Sequence, residues 1–137
     1  MYIALGNRVI DSKEMKETIE KNTDFKVLKD MSKGTKREDV IAFNLSVKIE
    51  ILNEIIEEEY SDEKLEEDEL FEEYLSLAEE MAIDIEEFFP EDIVLDAKSY
   101  KWDQSDNDIK LVIVAANEEL GDLKLRDLMK RLLTQVE

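Results

Sequence analysis

The stretch that decides the fold is Ile41-Ala42-Phe43-Asn44-Leu45-Ser46-Val47-Lys48-Ile49-Glu50-Ile51, followed by Leu52-Asn53-Glu54-Ile55-Ile56-Glu57-Glu58. Ile41, Phe43, Leu45, Val47, Ile49 and Ile51 fall at every second position, which is the period of a strand with one buried face. A helical reading competes, because Thr35 and Glu38 make a capping box and Ile41, Leu45, Ile49, Leu52 and Ile56 would share a helical face. That helix would spread apolar side chains over roughly two-thirds of its circumference. We therefore read a strand through about residue 50. From Ile51 the spacing turns helical, with Ile51, Leu52, Ile55 and Ile56 opposed to Asn53, Glu54, Glu57 and Glu58.

Beyond this point Leu70, Tyr74, Leu77, Met81, Ile85 and Phe88 continue a helical stripe, flanked by Phe71, Leu75, Ala78, Ala82 and Phe89. With Ser61 as N-cap, Asp62 and Glu63 in the first turn and Pro90 beyond the end, the pattern predicts a helix over about 61–89, roughly 43 Å long.

Upstream, Tyr2 to Leu5 and Arg8 to Ile10 flank Gly6-Asn7, residues suited to the positive φ of a two-residue hairpin turn. Asp11 or Ser12 can cap a helix through about Lys21 with Met15 and Ile19 on one face, and residues 24–31 read as a short strand. Downstream, Ile93 to Trp102 and Ile109 to Ala115 flank the turn-rich loop Asp103-Gln104-Ser105-Asp106-Asn107, a second hairpin. A closing helix over about 118–135 has Leu125, Leu128, Met129, Leu132 and Val136 on its core face, with Lys124, Arg126, Lys130 and Arg131 read as suiting the dipole toward its C-terminal half. The expected fold is a small single α+β domain over residues 1–137, with a mostly antiparallel sheet, a long acidic central helix and a C-terminal helix.

The chain has 137 residues, 43% of them hydrophobic, enough for a modest core. Its 37 acids against 18 bases give a formal charge of −19. Residues 50–92 contain twenty acids and a single base, Lys64, so this segment carries the whole excess and the remainder, with seventeen of each sign, is balanced. If entirely helical, those carboxylates would fall about one per 3.2 Å of axis, close to the roughly 3.4 Å spacing of phosphates along one DNA strand.

A chain without cysteine or histidine lacks the usual ligands for zinc, haem and iron–sulfur clusters, thiol nucleophiles and imidazole acid/base groups. Gly6, Gly34 and Gly121 are isolated, so neither a Walker loop nor a dinucleotide fingerprint can be built. The negative balance disfavours direct binding to nucleic acid or an anionic membrane. The N-terminus lacks the pattern of a signal peptide, and no run is long enough to span a membrane, so a cytoplasmic protein is expected.

Several smaller constellations compete with bland readings. Asp103, Asp106, Asn107 and Asp108 are rich in oxygen but lack the register and central glycine of a calcium loop, and Asp- and Asn-rich turns are ordinary. Asp92 or Asp96 with Asp108 and Lys110 could form a metal-dependent nuclease set, although acid-x-lysine triplets arise often by chance in so charged a chain. Tyr100 and Trp102 between Lys98 and Lys101 could stack on bases, but aromatic pairs on hairpins more often pack. The basic C-terminal helix could be a plain solvated face or a counterpart to the acidic segment.

The sequence thus leads to a non-enzymatic acidic protein without a cofactor or metal. Its expected role is a nucleic-acid-mimicking inhibitor or decoy of the anti-restriction or anti-CRISPR type, occupying the basic groove of a nucleic-acid-binding protein. The expected contact residues are Glu57, Glu58, Glu59, Asp62, Glu63, Glu66, Glu67, Asp68, Glu69, Glu72, Glu73, Glu79, Glu80, Glu86 and Glu87, accepting charge-assisted hydrogen bonds from Lys and Arg. The alternative is an assembly adaptor or homo-oligomeric subunit with an apolar recognition surface, its acids serving solubility.

Overall fold

Strand alternation prevails at the decisive stretch. In the computed structural model, which describes residues 1–59 and 65–136, the chain forms strands β1 (Tyr2–Leu5) and β2 (Arg8–Asp11), helix α1 (Ser12–Asn22) and strand β3 (Lys26–Asp30). A 3-10 turn, Ser32–Thr35, leads to β4 (Val40–Lys48), which passes directly into α2 (Ile49–Glu59). Then follow α3 (Glu67–Ile83), a 3-10 turn (Asp84–Phe88), β5 (Ile93–Asp103), β6 (Asp108–Asn117), a 3-10 turn (Glu118–Leu120) and α4 (Asp122–Val136).

The strands form a two-stranded β1-β2 sheet and a four-stranded sheet of order β3-β4-β6-β5, with every pairing antiparallel. β4 lies between β3 and β6, and Phe43, opposite Asp30 and Ile113, is fully buried. Alternation sorts the side chains of this sheet into two cores. Ile41, Phe43, Leu45, Val47, Ile109, Leu111, Ile113, Leu95 and Ala97 join residues of the β1-β2 hairpin and of α1, α2 and α3. Val40, Ala42, Val112, Val114 and Ala116 pack on Leu125, Leu128, Met129 and Leu132 of α4. The fold is thus an α+β arrangement with helices on both faces, and the acidic helices lie across the sheet from α4.

Element boundaries depart from expectation in physically informative ways. β4 ends at Lys48 and α2 begins at Ile49, two residues before the change of period in the sequence, with the Ile49 N–H donating to the Asn107 carbonyl at 3.1 Å. Thr35 caps no helix; its hydroxyl donates to the Ser32 carbonyl at 2.7 Å and accepts the Arg37 N–H at 3.1 Å, closing a turn. In the first hairpin only Gly6 takes positive φ, at 63°, and Asn7 does not.

The central helix is shorter than expected. It starts at Glu67 after an extended Glu66 that makes no side-chain cap, and spans 17 residues, about 26 Å. Between Leu65 and Leu70 there is no apolar side chain to dock on the sheet, and a helix of mostly acids without packing is marginal in water. The expected cap Ser61 and first-turn acids Asp62 and Glu63 lie outside the described residues. The last residues before Pro90 tighten into a 3-10 turn. The closing helix likewise starts at Asp122, after a 3-10 turn and Gly121 at φ 91°, and has no base in its last turn, so the expected match of its cations to the dipole does not hold. Among the described residues no helix is long and apolar enough to cross a membrane.

Candidate functional site

The acidic segment folds as two helices on one face of the sheet. α2 is anchored by Ile49, Leu52 and Ile56, α3 by Tyr74, Ala78 and Ala82. The small alanines let α3 approach β5 closely, so the buried line runs through Tyr74, Ala78 and Ala82, while Leu70, Leu77 and Met81 of the expected stripe are only partly covered. The Tyr74 hydroxyl donates to Asn53 Oδ1, tying α3 to α2. Phe71 and Tyr74 of α3 clasp Trp102 of β5, stacked at 6.1 Å and edge-on at 5.1 Å between ring centroids.

With the helices fixed, the exposure of the acids follows. Glu57, Glu58, Glu59, Glu66, Glu67, Asp68, Glu69, Glu72, Glu80 and Glu87 are exposed, Glu73, Glu79 and Glu86 are half-buried, and Asp62 and Glu63 lie outside the described residues. Glu50, Glu54 and Asp84, which the contact reading passed over, are exposed as well. For Glu50 and Glu54 the available signal was the four-residue spacing that runs from Glu50 through Glu54 to Glu58. Among the described residues, one acid of this segment enters an ion pair, Glu79 with Lys98 at 3.9 Å.

Glu79 has a different task from its neighbours. Its Oε1 accepts the Ser99 N–H at 2.9 Å and the Ser99 hydroxyl at 2.9 Å, occupying one donor on the outer edge of β5 at a register shift. Asp96 Oδ1 accepts the neighbouring Ala97 N–H at 3.0 Å, and on the opposite edge of the sheet Glu20 accepts the Val27 N–H at 3.1 Å. These three carboxylates occupy edge donors that another strand would need, a device against edge-to-edge association. As the contact of a partner's cation, Glu79 is already engaged.

The acids are placed at a cost. Glu57, Glu58 and Glu59 stand in the last turn of α2, where the helix dipole disfavours negative charge. Glu54 with Glu58, Asp68 with Glu72 and Glu69 with Glu73 are like-charged neighbours four residues apart, each opposing its helix by about 0.2 to 0.5 kcal/mol. Glu50 in the first turn of α2, and Glu67, Asp68 and Glu69 in the first turn of α3, suit the dipole.

The smaller constellations resolve differently. Carboxylate oxygens of Asp103, Asp106 and Asp108 lie within 4.8 Å of one another, and the Lys110 ammonium sits among them at 2.9, 2.8 and 3.0 Å. Burial alone would lower the Lys110 pKa, but hydrogen bonds to the three carboxylates outweigh it and raise the value. The Lys110 hydrogen bond, with the Asp106 and Ser105 backbone N–H groups, pulls Asp103 down to about 2. The cluster thus has its own cation.

Asp96 pairs with Val114, six residues along β6 from Asp108, so the two carboxylates lie about 20 Å apart and form no shared metal site. Burial raises the Asp96 pKa, and Asp92 is held by Asn117 at 2.8 Å. The register shift between Ser99 and Lys101 sends Tyr100 and Trp102 to opposite faces, Tyr100 donating to Asn44 Oδ1 at 2.9 Å, so they make no common platform. α4 lies across the sheet from α2 and α3, which removes the reading of its bases as an internal counterpart to the acidic segment.

No family model matches the chain, and no match is found among curated proteins or solved structures.

Two outcomes follow from these contacts. Glu79→Ala leaves the Ser99 N–H without its acceptor, and should lower the urea-unfolding free energy by about 1 to 3 kcal/mol, whereas exposed Glu80→Ala should change it by no more than about 0.5 kcal/mol. Equal effects would contradict the edge role. The Asp103 carboxyl should titrate near 2 by NMR, against about 3.9 for an unfolded chain. Because the folded value is depressed, its stabilisation is complete above about pH 5 and is lost as the pH falls toward 2. Lys110→Met should return the midpoint toward the ordinary carboxylate range, and an unmoved midpoint would contradict the assignment.

Proposed function

We propose that the chain is a non-enzymatic inhibitor that presents the exposed carboxylates of α2 and α3 as phosphate surrogates to the basic groove of a nucleic-acid-binding protein. The observation that carries this reading is that the acids are concentrated, mostly exposed and, at the end of α2 and at several four-residue spacings, unfavourable to their own helices. Three glutamates crowd the negative end of α2, and like charges recur at four-residue spacing. Solubility would be served equally by acids dispersed over the balanced remainder of the chain, without this local repulsion. A row of carboxylates suits a surface that evolved to bind phosphates, through charge-assisted hydrogen bonds and fast, salt-sensitive association.

The strongest focus flanks residues 60–64, with Glu57, Glu58 and Glu59 on one side and Glu66, Glu67, Asp68, Glu69 and Glu72 on the other. Both helices are fixed to the sheet by buried side chains, so their charges are presented with little further ordering on binding. Anti-restriction and anti-CRISPR inhibition are the activities in which such a surface would act. The target's groove would be lined by Lys and Arg and would normally track a nucleic-acid backbone.

A second reading, an assembly subunit with an apolar recognition surface, is favoured by Tyr2 and Val9, which are 74% and 70% exposed on the β1-β2 hairpin.

Replacing Glu66, Glu67, Glu69 and Glu73 by Lys should abolish capture of nucleic-acid-binding proteins from a nuclease-treated lysate of the source organism, while the circular dichroism and cooperative unfolding of the chain persist. Full-strength capture by this folded variant would contradict the decoy reading. A variant with Tyr2 and Val9 changed to Ser should leave capture intact, and loss there instead would favour the assembly reading.

A further inference from the structure

Outside the acidic helices the cations are unevenly placed. Lys36, Arg37, Lys124 and Arg131 line one cavity of about 360 Å³ between the Ser32–Thr35 turn and α4, with Leu128 as an apolar element and Asp127 as the one acid of its lining. Lys124 and Arg131 are seven residues apart, two turns along one face of α4. Arg37 is held by a forked pair to Asp39, at 2.7 and 2.9 Å, which fixes its guanidinium and leaves further N–H donors unspent. Among the described residues Lys36, Lys124 and Arg131 enter no ion pair; Arg131 Nη1 reaches only the Thr35 carbonyl, at 3.4 Å. Even with Asp39 and Asp127 counted, positive charge prevails here in a chain of net charge −19. The acidic helices lie across the sheet, and at physiological salt a Debye length of about 8 Å limits their reach.

A second observation concerns the backbone. Lys36 closes the turn in the left-handed conformation, φ 58° and ψ 26°, with its N–H donating to the Lys33 carbonyl at 3.1 Å. Glycine takes this conformation without the steric penalty that a Cβ brings, and is the usual residue at such a position. The other non-glycine residue with positive φ among those described is Asn107, a type that tolerates it in turns. Lysine thus stands where glycine would fit more easily, and what it adds is a cation at the cavity.

We propose that this cavity is a binding site for the phosphate group of a small phosphate monoester. Four cationic side chains approaching from two elements suit a compact dianion with several acceptor oxygens, whereas a carboxylate would be satisfied by a single arginine fork. The cavity exceeds the needs of the phosphate alone, which leaves room for the organic portion of an ester.

The test is an NMR titration of the full chain at about 0.15 M NaCl with inorganic phosphate, adenosine 5′-monophosphate and adenosine, each to about 10 mM. Saturable shifts at the backbone N–H groups of Lys36, Arg37, Lys124 and Arg131 with both phosphate compounds, and none with adenosine, are expected. Tighter binding of the ester assigns the site to a monoester, and equal binding assigns it to free phosphate. Lys36→Gly should unfold at the same or a higher urea concentration yet bind about tenfold or more weakly, with Lys36→Arg retaining affinity and Arg131→Gln losing it. Shifts that do not saturate, shifts produced equally by adenosine, or wild-type affinity in Lys36→Gly would overturn the proposal.

Discussion

The rest of the structure depends on the burial of both faces of the central strands β4 and β6. Apart from Asn44 and Lys48 in β4, and Lys110 and Asn117 in β6, every residue of these strands is buried. A sheet apolar on both sides must be covered on both sides, so helices are drawn to each face and the chain becomes layered. Phe43, Ile113, Leu45 and Leu111 hold one core, and Ala42, Val112 and Val114 the other. The remaining helices need only supply an apolar stripe to whichever face is open. α2 and α3 do so with few buried residues each, which leaves most of their surface for charge.

This division of labour explains how the fold bears its acidic segment. Stability is concentrated in the sheet and its two cores, so repulsion within α2 and α3 falls on elements held by tertiary packing and not by their own propensity. Some carboxylates serve the architecture: Glu79, Asp96 and Glu20 each accept a backbone N–H at a sheet edge, and Asp103, Asp106 and Asp108 hold Lys110. Among the described residues, the exposed acids of α2 and α3 enter no ion pair. That contrast between engaged and unengaged acids is what motivates the proposal that the surface of α2 and α3 binds a partner.

Much of the architecture was legible in the sequence because it rests on short-range period. The alternation at Ile41 to Val47 identified β4, the Asp- and Asn-rich loop identified the β5-β6 hairpin, and Leu125, Leu128, Met129 and Leu132 identified the core face of α4. What escaped depends on contacts between distant residues. The task of Glu79 is set by its proximity to Ser99, twenty residues away. The opposite facing of Tyr100 and Trp102 follows from one register shift that strand period alone conceals. The identity of the acidic residues was plain from the sequence, but their exposure followed only once Tyr74, Ala78 and Ala82 fixed the rotation of the helix.

The most direct test of the central claim is competition for a captured partner between this chain and a nucleic acid, followed as salt is raised. The account predicts a basic nucleic-acid-binding protein that is held at 0.1 M salt and displaced by a DNA or RNA oligonucleotide. It should be released at 1 M, where the Debye length falls to about 3 Å. A partner that stays bound at 1 M salt and ignores the oligonucleotide would contradict it, because apolar burial is not weakened by screening.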